Sequence, residues 1–560
     1  MDKYLYIGLG VAVIGIILYQ IINSEKQRRA KLLYKIKQAW GNPVVREYEY
    51  DEFEALTHYY KKRKKEGEFV IDDITWNDLD MDSVFLEINN TQSSTGAEYL
   101  YKMLRTPCFD KKTLEERDRL MEYFTNNEDI RISYQLDLAK IGQTKKFALV
   151  DYIENFVSLK KGSNVGHYLQ IALVVMSIVL MSLNPAIGIV ALISSLIYNV
   201  FTYYKEKGKV EPFFVCIGAA VRLVDCCERL GKHNEKELEQ YLVKIREIAK
   251  SLKSIRKDVS YIGSTDKLSG NPADIIMDYI RMLFHIDLIK FNNILGKVQN
   301  EMGKIDEAME ILGELEAIIA IASYRKSVAY YCKPVLKEGK NVTVNMEDIY
   351  HPLISNPVPN TIKENRSVLL TGSNASGKST FLKTVAINAI LAQTIYTVLG
   401  NYYEANFYQV YSSMALKDNL QGNESYYMVE IKSLKRIMDA DSSKYPILCF
   451  VDEVLRGTNT VERIAASSRI LLTLAKSGAM CFAATHDIEL THLLEENYSN
   501  YHFQEEIEEN DVLFNYQLFK GRATTRNAIK LLAIMGYDTN VIEQAEETAQ
   551  RFLNEGVWKL

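Results

Sequence analysis

Ten residues, Thr371-Gly-Ser-Asn-Ala-Ser-Gly-Lys-Ser-Thr380, constrain this chain more than any others. They follow the apolar run Val368-Leu-Leu370 and precede Phe381-Leu-Lys-Thr-Val-Ala-Ile-Asn-Ala-Ile-Leu391, which reads as a helix. Strand, glycine-containing loop and helix in that order make an anion cradle. Gly372 and Gly377 let the backbone curl, so that successive N–H groups face one anion at the positive end of the helix. In such a loop Lys378 reaches the β- and γ-phosphates and the Ser379 hydroxyl sits on Mg²⁺. The pattern predicts a bound nucleoside triphosphate.

At 560 residues the chain is long enough for several units, each with its own core. A net charge of −5 argues against a protein that coats nucleic acid, because neutralising phosphates takes clustered Lys and Arg. Seven cysteines, an odd number without a C-x-x-C pair, indicate neither a disulfide framework nor a zinc site and fit a reducing compartment.

Tyr4 to Ile22 carries no charge, and nineteen helical residues reach roughly 28 Å, about one bilayer core. The basic cluster Lys26, Arg28, Arg29, Lys31 follows it, so an uncleaved anchor with residue 26 onward in the cytoplasm is expected. Lys61-Lys-Arg-Lys-Lys65 reads first as a solvated helix face. Tyr168 to Tyr204 is again free of charge and too long for one span; it suits two helices turning at Asn184-Pro185. Lysines before and after this stretch put both ends on the cytoplasmic side. Three spans are expected, in a multi-pass protein of the cell (inner or plasma) membrane whose nucleotide site faces the cytoplasm. From 206 to about 330 the stripes Leu238, Tyr241, Leu242, Ile245, Ile248 and Ile305, Ala308, Met309, Leu312, Leu315 read as long amphipathic helices.

Two further strands supply chemistry. Pro446-Ile-Leu-Cys-Phe-Val-Asp-Glu453 is apolar and ends in two carboxylates; a buried parallel strand would deliver both beside the phosphate loop. Asp452 then suits Mg²⁺ and Glu453 suits polarising a water. Cys481-Phe-Ala-Ala-Thr-His486 would bring His486 out on the same edge, able to sense the γ-phosphate. Between them, Asn419-Leu-Gln-Gly-Asn-Glu-Ser-Tyr-Tyr-Met-Val-Glu430 places Ser425 at a helix start, a position suited to phosphate.

These motifs in this order, with Asp452-Glu-Val-Leu-Arg-Gly-Thr-Asn-Thr460, His351-Pro-Leu and Val358-Pro-Asn360, resemble the ATPase domain of MutS mismatch-repair proteins over about residues 310–550. A weaker likeness upstream, Thr91-x-x-Ser-x-Gly-Ala-Glu-Tyr-Leu100, resembles the opening of the MutS core. The resemblance implies an α/β P-loop (ABC-like) ATPase domain with a parallel-rich sheet, joined here to an α-helical core and lever domain and three transmembrane helices. It implies ATP and Mg²⁺ as cofactors and a homodimer whose sites are completed in trans. Gly372, Asn374, Ser376, Gly377, Lys378, Ser379 and Thr380 would cradle the phosphates, with Ser379 and Asp452 on the metal. Asp452, Glu453, His486 and Lys378 would serve hydrolysis, Ser425 would act across the dimer, and His502 would stack on adenine. Pro357 stands where an aromatic commonly covers the other adenine face, and Ser376 replaces a usual glycine.

The expected division is an anchor over 1–25, a core-like segment over 26–165, a membrane hairpin over 166–205, a lever over 206–335 and the ATPase domain over 336–560. The Gly-x-Phe-Tyr-Glu element with which MutS proteins read a mismatch is not in the sequence. Three readings follow: a membrane-tethered MutS-like ATPase that touches DNA, a MutS-derived motor serving a membrane task without DNA, and an ABC transporter. The last is disfavoured because Leu-Ser-Gly-Gly-Gln is absent.

Overall fold

The computed structural model describes residues 19, 23–24, 26–44, 46–144, 147–151, 159, 162–259, 279–339, 341–373, 376–414, 426–455, 458–508, 511–523, 529, 532, 536–556 and 558. The expected N-terminal span (Tyr19 excepted), Asn374 and Ser425 lie outside the described residues. The chain divides into two compact units. One comprises Met1–Lys65, Asn89–Lys102 and Leu120–Ser323; the other comprises Glu66–Ile88, Met103–Arg119 and Tyr324–Leu560.

The first unit is helical. Its core-like motif has a physical purpose: Gly96 lets the helix Ser94–Arg105 approach the carboxylate of Glu316, on the helix Met302–Ser327. That buried carboxylate accepts from the backbone of Gln92 (2.5 Å) and of Ser93 (2.9 Å), and from the Ser93 hydroxyl. A Cβ at Gly313 would sit 2.7 Å from the Tyr99 side chain in the same seam. Burial pushes the Glu316 carboxyl up to about 7.

The charge-free stretch folds as expected at its turn. The helix Val165–Leu183 ends at Asn184, whose side chain caps the next helix by accepting from Ile187 N at 3.4 Å, with Pro185 at the first helical position. Gly188 lets the two helices close on the Met181 backbone. Both helices are long and apolar enough to cross a bilayer, with mean hydropathy 1.8. Their apolar side chains face outward: Leu173, Met176, Val190, Ile197 and Phe201 are each more than half exposed. The second helix does not stop near 205. It continues over Pro185–Leu230, because lysines end a charge-free stretch without ending a helix, and Gly208 and Pro212 are carried within it. Two such spans, not three, lie among the described residues.

The second unit holds two sheets. β1 (Val335–Lys337), β2 (Val344–Ile349), β3 (Asn360–Glu364) and β5 (Tyr402–Asn406) form one, in the order β1-β5-β2-β3. The other is built from β4 (Ser367–Thr371), β6 (Gln409–Ser413), β7 (Ile447–Asp452), β8 (Met480–Ala484), β9 (Tyr498–Glu508) and β10 (Asp511–Lys520). Its order is β10-β9-β4-β8-β7-β6, parallel throughout except for the β9–β10 hairpin. β4, β7 and β8 are buried along their whole length, as strands covered on both faces must be. Segments 66–88 and 103–119 belong to this unit, although the sequence reading grouped them with the helical part. Arg436 binds Asp72 at 2.6 Å, Asp78 accepts from the Ser412 hydroxyl at 2.6 Å, and Arg325 binds Asp118 at 2.6 Å.

Candidate functional site

β4 lies between β8 and β9, and its carboxyl end opens into the glycine loop. Gly372 has φ +146, and a Cβ there would sit 2.7 Å from the Phe503 carbonyl; only glycine fits. Gly377, at φ +105, turns the chain into the helix Lys378–Thr394, and a Cβ there would touch the Tyr516 ring at 3.1 Å. Lys378 is buried, and its ammonium donates to the carbonyls of Gly372 (2.8 Å) and Ser373 (2.7 Å). The lysine thereby lies back along the loop it serves.

Parallel pairing sets the strand ends side by side. β8 pairs with β4 on one side and β7 on the other, so Asp452 and Glu453 emerge close to the loop. The Ser379 hydroxyl donates to Asp452 Oδ2 at 2.5 Å. Asp452 Oδ1 is buried and has no hydrogen-bond partner among the described residues. A hydroxyl and a carboxylate with a spare buried oxygen form a hard-oxygen donor set, which fits Mg²⁺. Glu453 takes a left-handed conformation (φ +55), donates its N–H to Ala484 O at 3.0 Å, and places Oε1 3.0 Å from His486 Nε2. Asp452 and Ser379, and separately Glu453 and His486, are thus brought together as pairs.

Ser379 and Glu453 line a cavity of about 780 Å³, within the range of small-molecule sites, and Asp452 and His486 are bonded to them outside its lining. Ser376, Gly377, Lys378, Ser379 and Thr380 form its floor and Glu453 one flank; Ile354, Pro357, Val358, Phe503 and Tyr516 supply apolar walls. The Ser376 hydroxyl, buried without a partner among the described residues, faces the same space and suits a phosphate oxygen. His351 also lines it. Burial, with Lys383 adding to it, pushes its imidazole down to about 4, so it is neutral at physiological pH.

One expected residue lies elsewhere. His502 is not among the cavity's lining residues; its Nδ1 pairs with Gly521 O at 3.1 Å and its ring tilts against Phe519 at 5.7 Å. The reason is the period of a strand. Neighbouring β9 residues face opposite sides, and Phe503 takes the cavity side. The aromatic over the loop is Tyr516, on β10, where the register slips between Phe514 and Leu518 and φ reaches +53. Asn360 clamps this bulge, donating to Tyr516 O (3.0 Å) and accepting from Leu518 N (2.8 Å). No sequence signal marks a bulge, although Asn360 stood within a recognised motif.

Two more side chains escaped the sequence reading. Glu430 is buried and accepts the Leu455 N–H, fixing the turn just after Glu453, where Leu455 has φ +61. Arg463 grips Asp487 with two bonds, 2.9 and 2.6 Å, next to His486. A Glu four residues into a helix and an Arg on an exposed-looking helix face carry no mark of either task.

The family model described as MutS domain V matches residues 368–553, which include the loop, the acidic strand and His486. The chain is 25% identical over 514 residues to the DNA mismatch repair protein MutS of Thermotoga maritima, covering 84% of this chain and 63% of that protein. It is 28% identical over 277 residues to the MutS of Thermotoga petrophila, with 47% and 33% covered. With the DNA mismatch repair protein MSH3 of Candida albicans it shares 25% over 355 residues, with 57% and 34% covered. The chain therefore spans between about a third and under two thirds of the length of these relatives. Matching domain and relatives agree: residues 368–553 carry MutS domain V, and the chain around them is similar to MutS-family proteins.

Proposed function

We propose that the chain is a MutS-type ATPase that binds ATP in the cavity above the glycine loop and hydrolyses it at sites completed by a second copy. The observation that carries this is the pairing of Ser379 with Asp452 and of Glu453 with His486, one member of each pair lining the same cavity. Loop N–H groups and the Lys378 ammonium neutralise phosphate charge. Ser379 and Asp452 would hold Mg²⁺, which when bound supplies further positive charge to the phosphates. Glu453 accepts the proton of an attacking water, and His486 orients that carboxylate. Ser425, through its family position, serves the partner's nucleotide.

The test is the Glu453→Gln variant, which keeps the shape and removes the base. It retains ATP while turnover falls by ~10²–10⁴. Undiminished turnover refutes the assignment. Mixing Lys378→Ala with Ser425→Ala subunits restores one working site per pair if completion is in trans; no rescue refutes it.

The setting of this engine is a bilayer. Outward-facing apolar side chains on two adjacent helices support a hairpin inserted from the cytoplasmic face of the cell membrane. Extraction by alkaline carbonate would overturn this. DNA is the proposed polymer partner through the relatives, which are named for mismatch repair. Salt-sensitive binding of duplex or branched DNA, with a change in ATPase rate, is the expected result; its absence leaves the membrane task as the reading.

A further inference from the structure

The hairpin's open end is tied to a segment that carries no hydropathy signal of its own. Residues 279–284 (Tyr-Ile-Arg-Met-Leu-Phe) are helical and lead into His285, where φ +50 breaks the path before the helix Ile286–Asn300. His285 is 1% exposed; its Nε2 donates to Asn199 O at 2.9 Å and its Nδ1 lies 2.9 Å from His167 Nδ1. Asn199, fully buried, donates its side-chain amide to Leu283 O at 2.9 Å. One step further out, the Tyr203 hydroxyl donates to Asp287 at 2.6 Å and accepts from Lys207 at 2.9 Å. Polar groups in such a place are costly unless paired; the Asn199 amide N–H, the His285 ring and the Tyr203 hydroxyl are paired, while Asn199 Oδ1 has no hydrogen-bond partner among the described residues.

The depth follows from the helix. Asn199 lies five residues inside the charge-free stretch that ends at Tyr204, so Leu283, bonded to it, sits ~7 Å below that boundary. Helices lying in the plane of an interface are buried by about that much, ~5–10 Å. The segment suits such a position: one charge (Arg281), an aromatic at each end, and Tyr279 and Ile280 turned outward at 60% and 38% exposure.

We propose that residues 279–285 lie in the plane of the headgroup region and that lipid is the partner of the face bearing Tyr279 and Ile280. This chain would then grip the bilayer with a third element besides the two hairpin helices. The inference rests on the hairpin spanning the membrane, and the experiment separates the two. Full-length protein with Ile280→benzoylphenylalanine is reconstituted in phosphatidylcholine–phosphatidylglycerol vesicles, irradiated, and examined by mass spectrometry for phospholipid adducts. Val190 in the hairpin and Tyr50 on a helical surface, 66% and 81% exposed, receive the same probe. The expected result is adducts at 190 and 280 and none at 50. Adducts at 190 alone, or a protein adduct at 280, overturn the proposal and leave the hairpin standing. Adducts at neither overturn the hairpin reading and this one with it. In the Asn199→Leu background, the yield at 280 falls severalfold while that at 190 holds. An unchanged yield at 280 shows that Asn199 does not set the depth and overturns the argument from it.

Discussion

Glu98 is a buried carboxyl with nothing to bind. It is 2% exposed, and its Oε2 has no hydrogen-bond partner among the described residues. Burial, with the charge of Asp151 adding to it, pushes its carboxyl from 4.5 up to about 8. The sign is set by which state ionises first. Below pH 4.5 both folded and unfolded chains hold the proton, and Glu98 has no effect. Between 4.5 and 8 the unfolded chain ionises while the folded unit must keep or regain the proton, so stability falls as pH rises. At 1.36 kcal/mol per pH unit the loss totals about 5 kcal/mol by pH 8 and is constant above it. Glu98→Gln abolishes that loss, but its amide needs partners, a cost of ~1–3 kcal/mol. The variant is therefore less stable than the parent at pH 5 and more stable by ~2–4 kcal/mol at pH 8.5, with the curves crossing between about pH 5 and 7. Hydrogen exchange of the helix Ser94–Arg105, read as opening free energy against pH, measures this locally and avoids a two-state treatment of the whole chain. Glu316, also raised, adds its own slope to both proteins, so the difference curve belongs to Glu98 alone. Parallel curves, or a variant weaker at pH 8.5, would refute the reasoning.

Tyr516→Ala should weaken ATP binding by ~2–10-fold, the worth of one aromatic stack, while His502→Ala leaves the equilibrium dissociation constant unchanged; titration with a fluorescent ATP analogue compares them. Asn360→Ala releases the bulge that holds Tyr516, so binding should weaken to the Tyr516→Ala level and the double variant should lose no more. Glu430→Ala strands the buried Leu455 N–H at a cost of ~1–3 kcal/mol and lowers kcat more than it changes KM, as steady-state kinetics would show. Gly372→Ala drives a Cβ against the Phe503 carbonyl and should cost more than ~1 kcal/mol, seen as a lowered Tm of the nucleotide unit.

Local chemistry was legible in the sequence wherever a backbone demand and an apolar pattern coincide. Gly372 and Gly377 between a strand and a helix, and Asp452-Glu453 at the end of a buried run, each signal their structure within a dozen residues. The turn at Asn184-Pro185 was legible for the same reason. Position along a strand was not: that Tyr516 rather than His502 lines the cavity turns on a period-two alternation and a bulge, and neither leaves a compositional trace. Nor was the membership of segments 66–88 and 103–119, because the bonds that hold them, such as Asp72 to Arg436, join residues 364 apart. The end of the hairpin's second helix was missed because lysines end a membrane span without ending a helix.

That last point bears on how the helical unit would relate to the proposed bilayer. A helix of 46 residues extends ~69 Å, more than twice a hydrocarbon core of ~30 Å. Its far half is core: Ile217, Leu223, Val224, Cys226, Cys227 and Leu230 are buried, Arg222 donates to Ile141 O at 2.7 Å, and Arg229 meets Asp137 at 2.9 Å. Its near half carries the apolar residues proposed to face lipid. Between the two halves the helix continues through Gly208 and Pro212. An interior proline removes one i→i−4 hydrogen bond and favours a kink, so Pro212 is the place where the direction of the near half can depart from that of the far half. Near the middle of the helix, Asn199 bonded to Leu283 and Tyr203 bonded to Asp287 add a second point of attachment, to the segment that leads into the helix Ile286–Asn300. In the proposed membrane setting, a displacement of the far half would reach the hairpin through the helix at Pro212 and through the attachments at Asn199 and Tyr203.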